Sequence, residues 1–383
     1  MVFSLAACSN GGGNAATPAP ATPAPATEPA GEPTPAPEGE APALEGSIAL
    51  VTDVGTIDDE SFNQGTWEGA LAYAEAHNIE CNYYQPTADS TDARMQSIDQ
   101  AVKEGASVIV VPGYLFGEAM LQAPEKYPDV KFIAIDVNPS ADMGGATPAS
   151  NLHCIYFAEE QCGFLAGYGA VMDGYTDLGF LGGIAVPAVV RYGQGYLQGI
   201  DAAAQELGVD VNVKYTYGGQ FFGDANITAK MEGWYGAGTQ IVFACGGGIW
   251  TSPAEAAMNH NGYIIGVDTD QHHLGENTET YAYNPFVTSA MKGLGQATQD
   301  ALDKAYTGQF DSIGGTAANL GLLQGDYVGL PTAEASWCFK TFTVEQYEAE
   351  KEKIKSGEIT IDNNSDAAVH VELSEHTTVE YID

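Results

Sequence analysis

Two doubly wound α/β lobes joined by a hinge are what this sequence predicts, and three observations carry the prediction. Short apolar runs alternate with amphipathic stretches, the pattern of a parallel sheet covered by helices on both faces. The alternation completes one round and then begins again. At 383 residues the chain also exceeds the roughly 250–300 residues at which a single core stops growing. Its 44% hydrophobic and 10% aromatic residues supply apolar mass for two cores.

The elements follow in order. Ile48-Ala49-Leu50-Val51-Thr52 is a short apolar strand, a helix is predicted over 61–77, and 79–84 reads as strand. Asp89-Ser90-Thr91 offers caps for a helix running to Lys103, and Ser107-Val108-Ile109-Val110-Val111 is a β-branched strand stopped by Pro112-Gly113. A helix near Glu118 leads to a strand over 131–136. The second round is predicted as helix 158–171, strand 178–181, helix 189–207, strand 211–215, helix 225–235, strand 241–244, a helix near Glu255 and strand 263–267. The charged run over 345–355 alternates sign at helical spacing and predicts a solvated C-terminal helix. In sheets of this kind ligands sit at the carboxyl ends of the strands, so two facing lobes define a cleft lined by those loops.

Ahead of the lobes, Leu5-Ala6-Ala7-Cys8 resembles a bacterial lipobox, in which small residues admit the signal peptidase and the cysteine takes the lipid. Only seven residues precede Cys8, fewer than a basic region plus about 7–15 apolar residues require, so 1–8 is expected to be a remnant signal peptide. Residues 9–46 form a Pro, Ala and Thr-rich spacer with almost nothing apolar larger than Ala before Leu44, predicting an extended linker rather than a core. A lipidated cysteine followed by such a stalk predicts attachment to the extracytoplasmic face of the cell membrane.

The charge balance excludes one class of partner. Thirteen Lys and Arg face 51 Asp and Glu, a net of −38, and a surface that negative repels nucleic acid. Six cysteines show neither a C-x-x-C pair nor zinc-like spacing, so no metal and no disulfide framework is expected. Cys245 closes an apolar strand and is expected to be an inert buried thiol.

The loop after the first strand, Asp53-Val54-Gly55-Thr56-Ile57-Asp58-Asp59-Glu60-Ser61-Phe62-Asn63-Gln64, carries the most chemistry. It lacks G-x-G-x-x-G, and no Walker A sequence occurs, so no nucleotide cofactor is expected. Asp53 and Asn63 can exchange hydrogen bonds with a neutral polar ligand and Phe62 can offer a ring face. Asp58, Asp59 and Ser61 are expected to cap the following helix.

This loop, together with Gln161-Cys162-Gly163-Phe164-Leu165-Ala166-Gly167, Gly179-Phe180-Leu181-Gly182-Gly183 and Ile265-Gly266-Val267-Asp268-Thr269-Asp270-Gln271, resembles the basic membrane protein and purine nucleoside receptor lipoproteins over about 47–330. The resemblance implies a type I periplasmic-binding fold, with 47–155 plus about 285–318 as first lobe and 156–284 plus about 319–383 as second. It implies a monomeric substrate-binding component of an ABC importer that closes on a nucleoside and works with a permease and an ATPase. Carried over by motif, Asp53, Phe62 and Asn63 form the first-lobe part of the pocket, with Phe62 stacking on the base, and Asp136 contacts the base. Asp268 and Lys292 would hold the ribose, Lys292 being expected on a helix after the chain crosses back. Gly246 and Gly247 lie in the glycine-rich loop, and the second stacking aromatic is either Trp250 or Phe222.

Lesser motifs carry bland expectations. Gly193-Gln194-Gly195 lies inside a helical run and predicts close helix packing rather than phosphate binding. His272-His273 does not suit one metal ion, and Asn226-Ile227-Thr228 marks a helix start. An enzyme is not expected, since there is no G-x-S-x-G elbow and no clear Cys/His pair. The alternatives are a nucleosidase-like enzyme and a ligand sensor feeding a membrane kinase.

Overall fold

The computed structural model describes residues 44–382. The expected remnant signal, Cys8 and nearly all of the expected linker lie outside the described residues.

The first round reads β1 (Ser47–Val51), α1 (Phe62–His77), β2 (Cys81–Tyr84), α2 (Thr91–Lys103), β3 (Ala106–Pro112), α3 (Gly117–Lys126), β4 (Lys131–Ile135), α4 (Pro139–Asp142) and β5 (Leu152–Phe157). The second reads α5 (Glu159–Met172), β6 (Asp177–Gly182), α6 (Pro187–Leu207), β7 (Val211–Tyr217), α7 (Ala225–Gly236), β8 (Ile241–Cys245), α8 (Thr251–His260), β9 (Tyr263–Asp268) and β10 (Phe286–Lys292). The chain then returns through α9 (Leu294–Tyr306) and β11 (Thr316–Leu320), and ends with α10 (Leu322–Gly325), β12 (Val328–Gly329), α11 (Val344–Ser356) and β13 (Thr377–Tyr381).

The strands make two sheets, ordered β11-β5-β4-β3-β1-β2 and β12-β10-β9-β8-β6-β7-β13. Every pairing is parallel except β10 with β12. Burial on both faces explains the runs of apolar residues. Ile48, Leu50, Val108, Val110, Ile133 and Ile135 face one core, while Ala49, Val51, Ile109, Val111, Phe132 and Ala134 face another on the opposite side. At roughly 25 cal/mol per Å² of apolar surface removed from water, such strands contribute more than their backbone propensity does.

The chain passes between the sheets three times, at Ala158, Gly293 and Gly321. This corrects the expected boundary at 285. Strand β10 continues the second sheet beside β9, because Phe286, Val287, Thr288, Ser289 and Ala290 are all buried there, and the crossing back comes only at Gly293. Lys292 is therefore the last residue of a strand, not part of a helix.

The bland expectations find their structural reasons. Helices α5 and α6 approach so closely that a Cβ on Gly195 would stand 2.2 Å from the Glu160 carbonyl oxygen, and one on Gly199 1.9 Å from that of Phe164. Cys245 is buried, and Asn226 lies in the first turn of α7, whose cap is Asp224. The C-terminal helix α11 is less solvated than its alternating charges suggest, since Tyr347, Glu350, Lys351 and Ile354 are buried.

Candidate ligand-binding site

Both sheets have a point where strand order reverses, between β1 and β3 in the first and between β6 and β8 in the second. Loops leaving the two strands at such a point diverge and open a crevice at the carboxyl ends. Asp53 and Gly113 flank the first crevice, and Gly183 and Gly246 the second. Gly113, at φ +111°, has to be glycine, because a Cβ there would stand 2.8 Å from Asp53 Oδ2.

In the first lobe the loop after β1 is held by its own carboxylates. Asp53 Oδ1 accepts from the Gly55 amide at 2.7 Å and from Asn63 Nδ2 at 3.0 Å. Burial pushes the Asp53 carboxyl above the usual range, against these hydrogen bonds. Asp59 caps α1 by accepting from the amides of Ser61, Asn63 and Gln64. Ser61 does not cap, contrary to expectation. Its Oγ crosses the cleft to donate to Asp268 Oδ2 at 2.6 Å. Glu60 joins it, its carbonyl oxygen accepting from Thr269 Oγ1 at 3.2 Å and Gln271 Nε2 at 2.8 Å, both in the second lobe.

The centre is charged and buried. Lys292 Nζ makes a hydrogen-bonded ion pair with Asp136 and lies 3.4 Å from Asp268 and 3.7 Å from Glu159. It also stands 4.7 Å from the centre of the Phe62 ring, within cation–π range. Burial disfavours its charge, but Asp136, Asp268 and Glu159 together hold the ammonium charged well above the ordinary lysine range. Burial pushes Asp136 up, to about 7, against the pull of Lys292 and with help from Glu159 and Asp268. Tyr192 donates to Asp268 at 3.4 Å, and Arg191 Nε to Glu159 Oε2 at 2.7 Å. Among the buried side-chain acceptors without a hydrogen-bond partner in the described chain are Thr52 Oγ1 and Asp136 Oδ1 just past their strands and Asn63 Oδ1 and Glu159 Oε1 in the first turns of α1 and α5. Such groups cost free energy until something donates to them.

The structure thus brings Asp136, Asp268, Lys292 and Phe62 together and sets Asp53 and Asn63 side by side on the first-lobe loop. Gly246 and Gly247 have positive φ and pack against Phe221, whose ring would be 2.8 Å from a Cβ on Gly246. Trp250 packs on Phe286, ring centres 5.7 Å apart, in a side cluster with Ala254 and Ile264. Phe222, 61% exposed on the loop after β7, keeps a free ring. Glu159, Arg191, Tyr192 and Ser61 escaped the sequence. The first two had a readable signal, for charged residues in helices otherwise buried all round need partners. His273, weighed only against metal binding, instead faces Glu60 Oε2 at 3.2 Å across the cleft mouth.

Residues 47–365 match the family model described as ABC transporter substrate-binding protein PnrA-like. The chain belongs to this family. PnrA-like proteins are substrate-binding components of ABC transporters and not enzymes. The ABC transporter nucleoside-binding protein BmpA of Lactococcus lactis subsp. cremoris is 27% identical over 292 residues, covering 72% of this chain and 79% of that protein. Basic membrane protein B of Borreliella burgdorferi is 27% identical over 291 residues, 75% of this chain and 81% of its own. Among solved structures, an ABC transporter solute-binding protein from Aeropyrum pernix K1 superposes with a TM-score of 0.68 at 23% identity, over 84% of this chain and 94% of that one. That likeness shows the two-lobed periplasmic-binding fold. No helix among the described residues is long and apolar enough to cross a membrane.

Proposed function

We propose that this PnrA-like chain captures a neutral nucleoside, purine for preference, between its lobes. It acts as a monomeric lipoprotein anchored through Cys8 on the extracytoplasmic face, and delivers the ligand to an ABC permease and its ATPase. The observation that carries this reading is the Phe62 ring beside Lys292, with Asp136 and Asp268 on the same ammonium. An aromatic face suits a base, and carboxylates accept from base N–H and ribose hydroxyls. Lys292 and Arg191 are already engaged with carboxylates, so a phosphate dianion at this centre would meet net negative charge. Asp53, Asn63 and Phe222 would complete the contacts, while Gly246 and Gly247 shape the second-lobe loop and Trp250 supports it by packing. The nucleoside-binding relative supports the ligand class, and Leu5-Ala6-Ala7-Cys8 supports the anchor.

Calorimetric titration with inosine, guanosine, adenosine, uridine and inosine monophosphate tests it. Purine nucleosides are expected to bind and the monophosphate not to bind. Equal affinity for inosine and its monophosphate would overturn the charge argument, and no binding by any nucleoside would overturn the ligand class.

A further inference from the structure

Among the buried carboxylates that the binding contacts leave unused, one lies against Lys292. Glu159 is the first residue of α5, one residue past the crossing at Ala158, and is 0% exposed. Arg191, on α6 of the same lobe, donates to its Oε2 at 2.7 Å. Its Oε1 lies 3.7 Å from Lys292 Nζ and accepts no hydrogen bond. Lys292 stands one residue before the crossing at Gly293 and reaches across to Asp136 at the end of β4. Charges thus alternate through Arg191, Glu159, Lys292 and Asp136, from the interior of the second lobe, past two crossings, into the first. A planar guanidinium fixes the carboxylate that it grips. Buried behind the lysine, Glu159 is placed to influence a ligand through Lys292 and Asp136.

We propose that Glu159, keyed by Arg191, is a positioning residue for ligand capture: from behind, it holds the Lys292 ammonium on the Oδ2 side of Asp136 and so leaves Asp136 Oδ1 free to accept from the ligand. The proposal rests on the cleft being the nucleoside site and deepens that reading. A purely structural role, anchoring α5 to α6 through Arg191, would leave the inosine affinity of a folded variant unaffected. Asp136 is faced by Lys292 from β10, Glu159 from α5, Asp268 from β9 and Arg191 from α6, so its titration reports on the whole row. Of these groups three are acids and two are bases. Glu159→Gln makes the count two and two and keeps an amide oxygen that can accept from the Arg191 guanidinium.

The test follows the Asp136 carboxyl by carbon NMR against pH in the unliganded full chain, the signal assigned by its loss in Asp136→Asn, together with inosine affinity by calorimetry. Glu159→Gln is expected to lower the Asp136 midpoint by about one pH unit, equivalent to a tenfold change in protonation preference. It should weaken inosine binding about tenfold, the low end for losing a partner behind a ligand-contacting group. Glu159→Asp, its carboxylate withdrawn, should give smaller shifts in the same directions. Glu160→Gln, removing the adjacent buried acid, should give neither. An unmoved midpoint in Glu159→Gln, or an equal shift in Glu160→Gln, overturns the proposal. If Glu159→Gln does not fold, Glu159→Asp decides by the same midpoint. If inosine binds at no pH, the nucleoside reading falls and the midpoint alone decides the role of Glu159.

Discussion

Among the described residues six other than glycine hold positive φ, and they sort by purpose. Asn78, Asn261 and Asp326 are helix C-caps, an ordinary use of the left-handed region. Glu60, Asp136 and Asp268, at φ +54°, +57° and +66°, all meet at the cleft, where strain of this kind is retained for function. Asp136 and Asp268 were legible because each ends an apolar strand, and Lys292 through its motif. Ser61 was not, since a serine before a helix reads as a cap and only the facing lobe reveals otherwise. At this scale Phe62→Ala is expected to weaken nucleoside binding by about 1–3 kcal/mol, the loss of one stacking face; unchanged affinity in a folded variant would make Phe62 core. A pH effect follows from the buried acids. Burial pushes both Asp136 and Glu160 to about 7, Glu160 with help from Glu159. Between the ordinary carboxylate range and pH 7 the folded state therefore holds protons that the unfolded chain has released, so their contribution to stability is lost as pH rises through that window. The unfolding midpoint of the unliganded protein should fall from pH 5.5 to 7.5 more steeply than that of Glu160→Gln. Parallel profiles would show that Glu160 does not take up a proton there.

Among the elements, strands buried on both faces were readable from their apolar runs, and helices from their caps. Four of the missed strands share a cause. Strand β5 begins Leu152-His153-Cys154, and β11 is Thr316-Ala317-Ala318-Asn319-Leu320, neither apolar nor β-branched throughout. Strand β13, Thr377–Tyr381, is a half-exposed edge, and β12 is two residues long. Such segments become strands because a neighbouring strand offers its ladder, which tertiary structure supplies and local sequence does not. Strand β10 was missed for another reason: a first-lobe assignment from resemblance overrode its pattern. The glycine-lined contact of α5 with α6 was legible as close packing, and it has a measurable cost. Gly199→Ala puts a methyl 1.9 Å from backbone, so the helices have to part, at about 1–3 kcal/mol for overpacking. Chemical denaturation would measure this; an unchanged midpoint would mean that the helices tolerate separation.

For the molecule as a whole, the contacts of Glu60 and Ser61 with Asp268, Thr269 and Gln271 describe the lobes drawn together. A ligand that favours this arrangement over an open one shifts the population toward it only by contacts that both lobes supply. Asp268 is the hub, bonded to Ser61 and Tyr192 and close to Lys292. Small-angle scattering should show the radius of gyration falling on saturation with nucleoside, less so in Asp268→Ala, and fully in Phe62→Ala once its weaker site is filled. No fall in the unmutated protein would rule out closure by the ligand. The interleaving of the sheets has a consequence for how the chain folds. The first sheet is completed by β11 at 316–320, beside β5, and the second by β13 at 377–381, beside β7 at 211–217. Neither lobe is therefore a contiguous piece of polypeptide, and the first cannot finish until much of the second has emerged. Pairings so distant in sequence slow folding, because loop closure has to precede the contacts that reward it. A nascent chain made from its N-terminus holds no finished lobe until residue 320 is available, and no second one until residue 381. The two lobes should then fold late and nearly together, as one cooperative unit rather than one after the other.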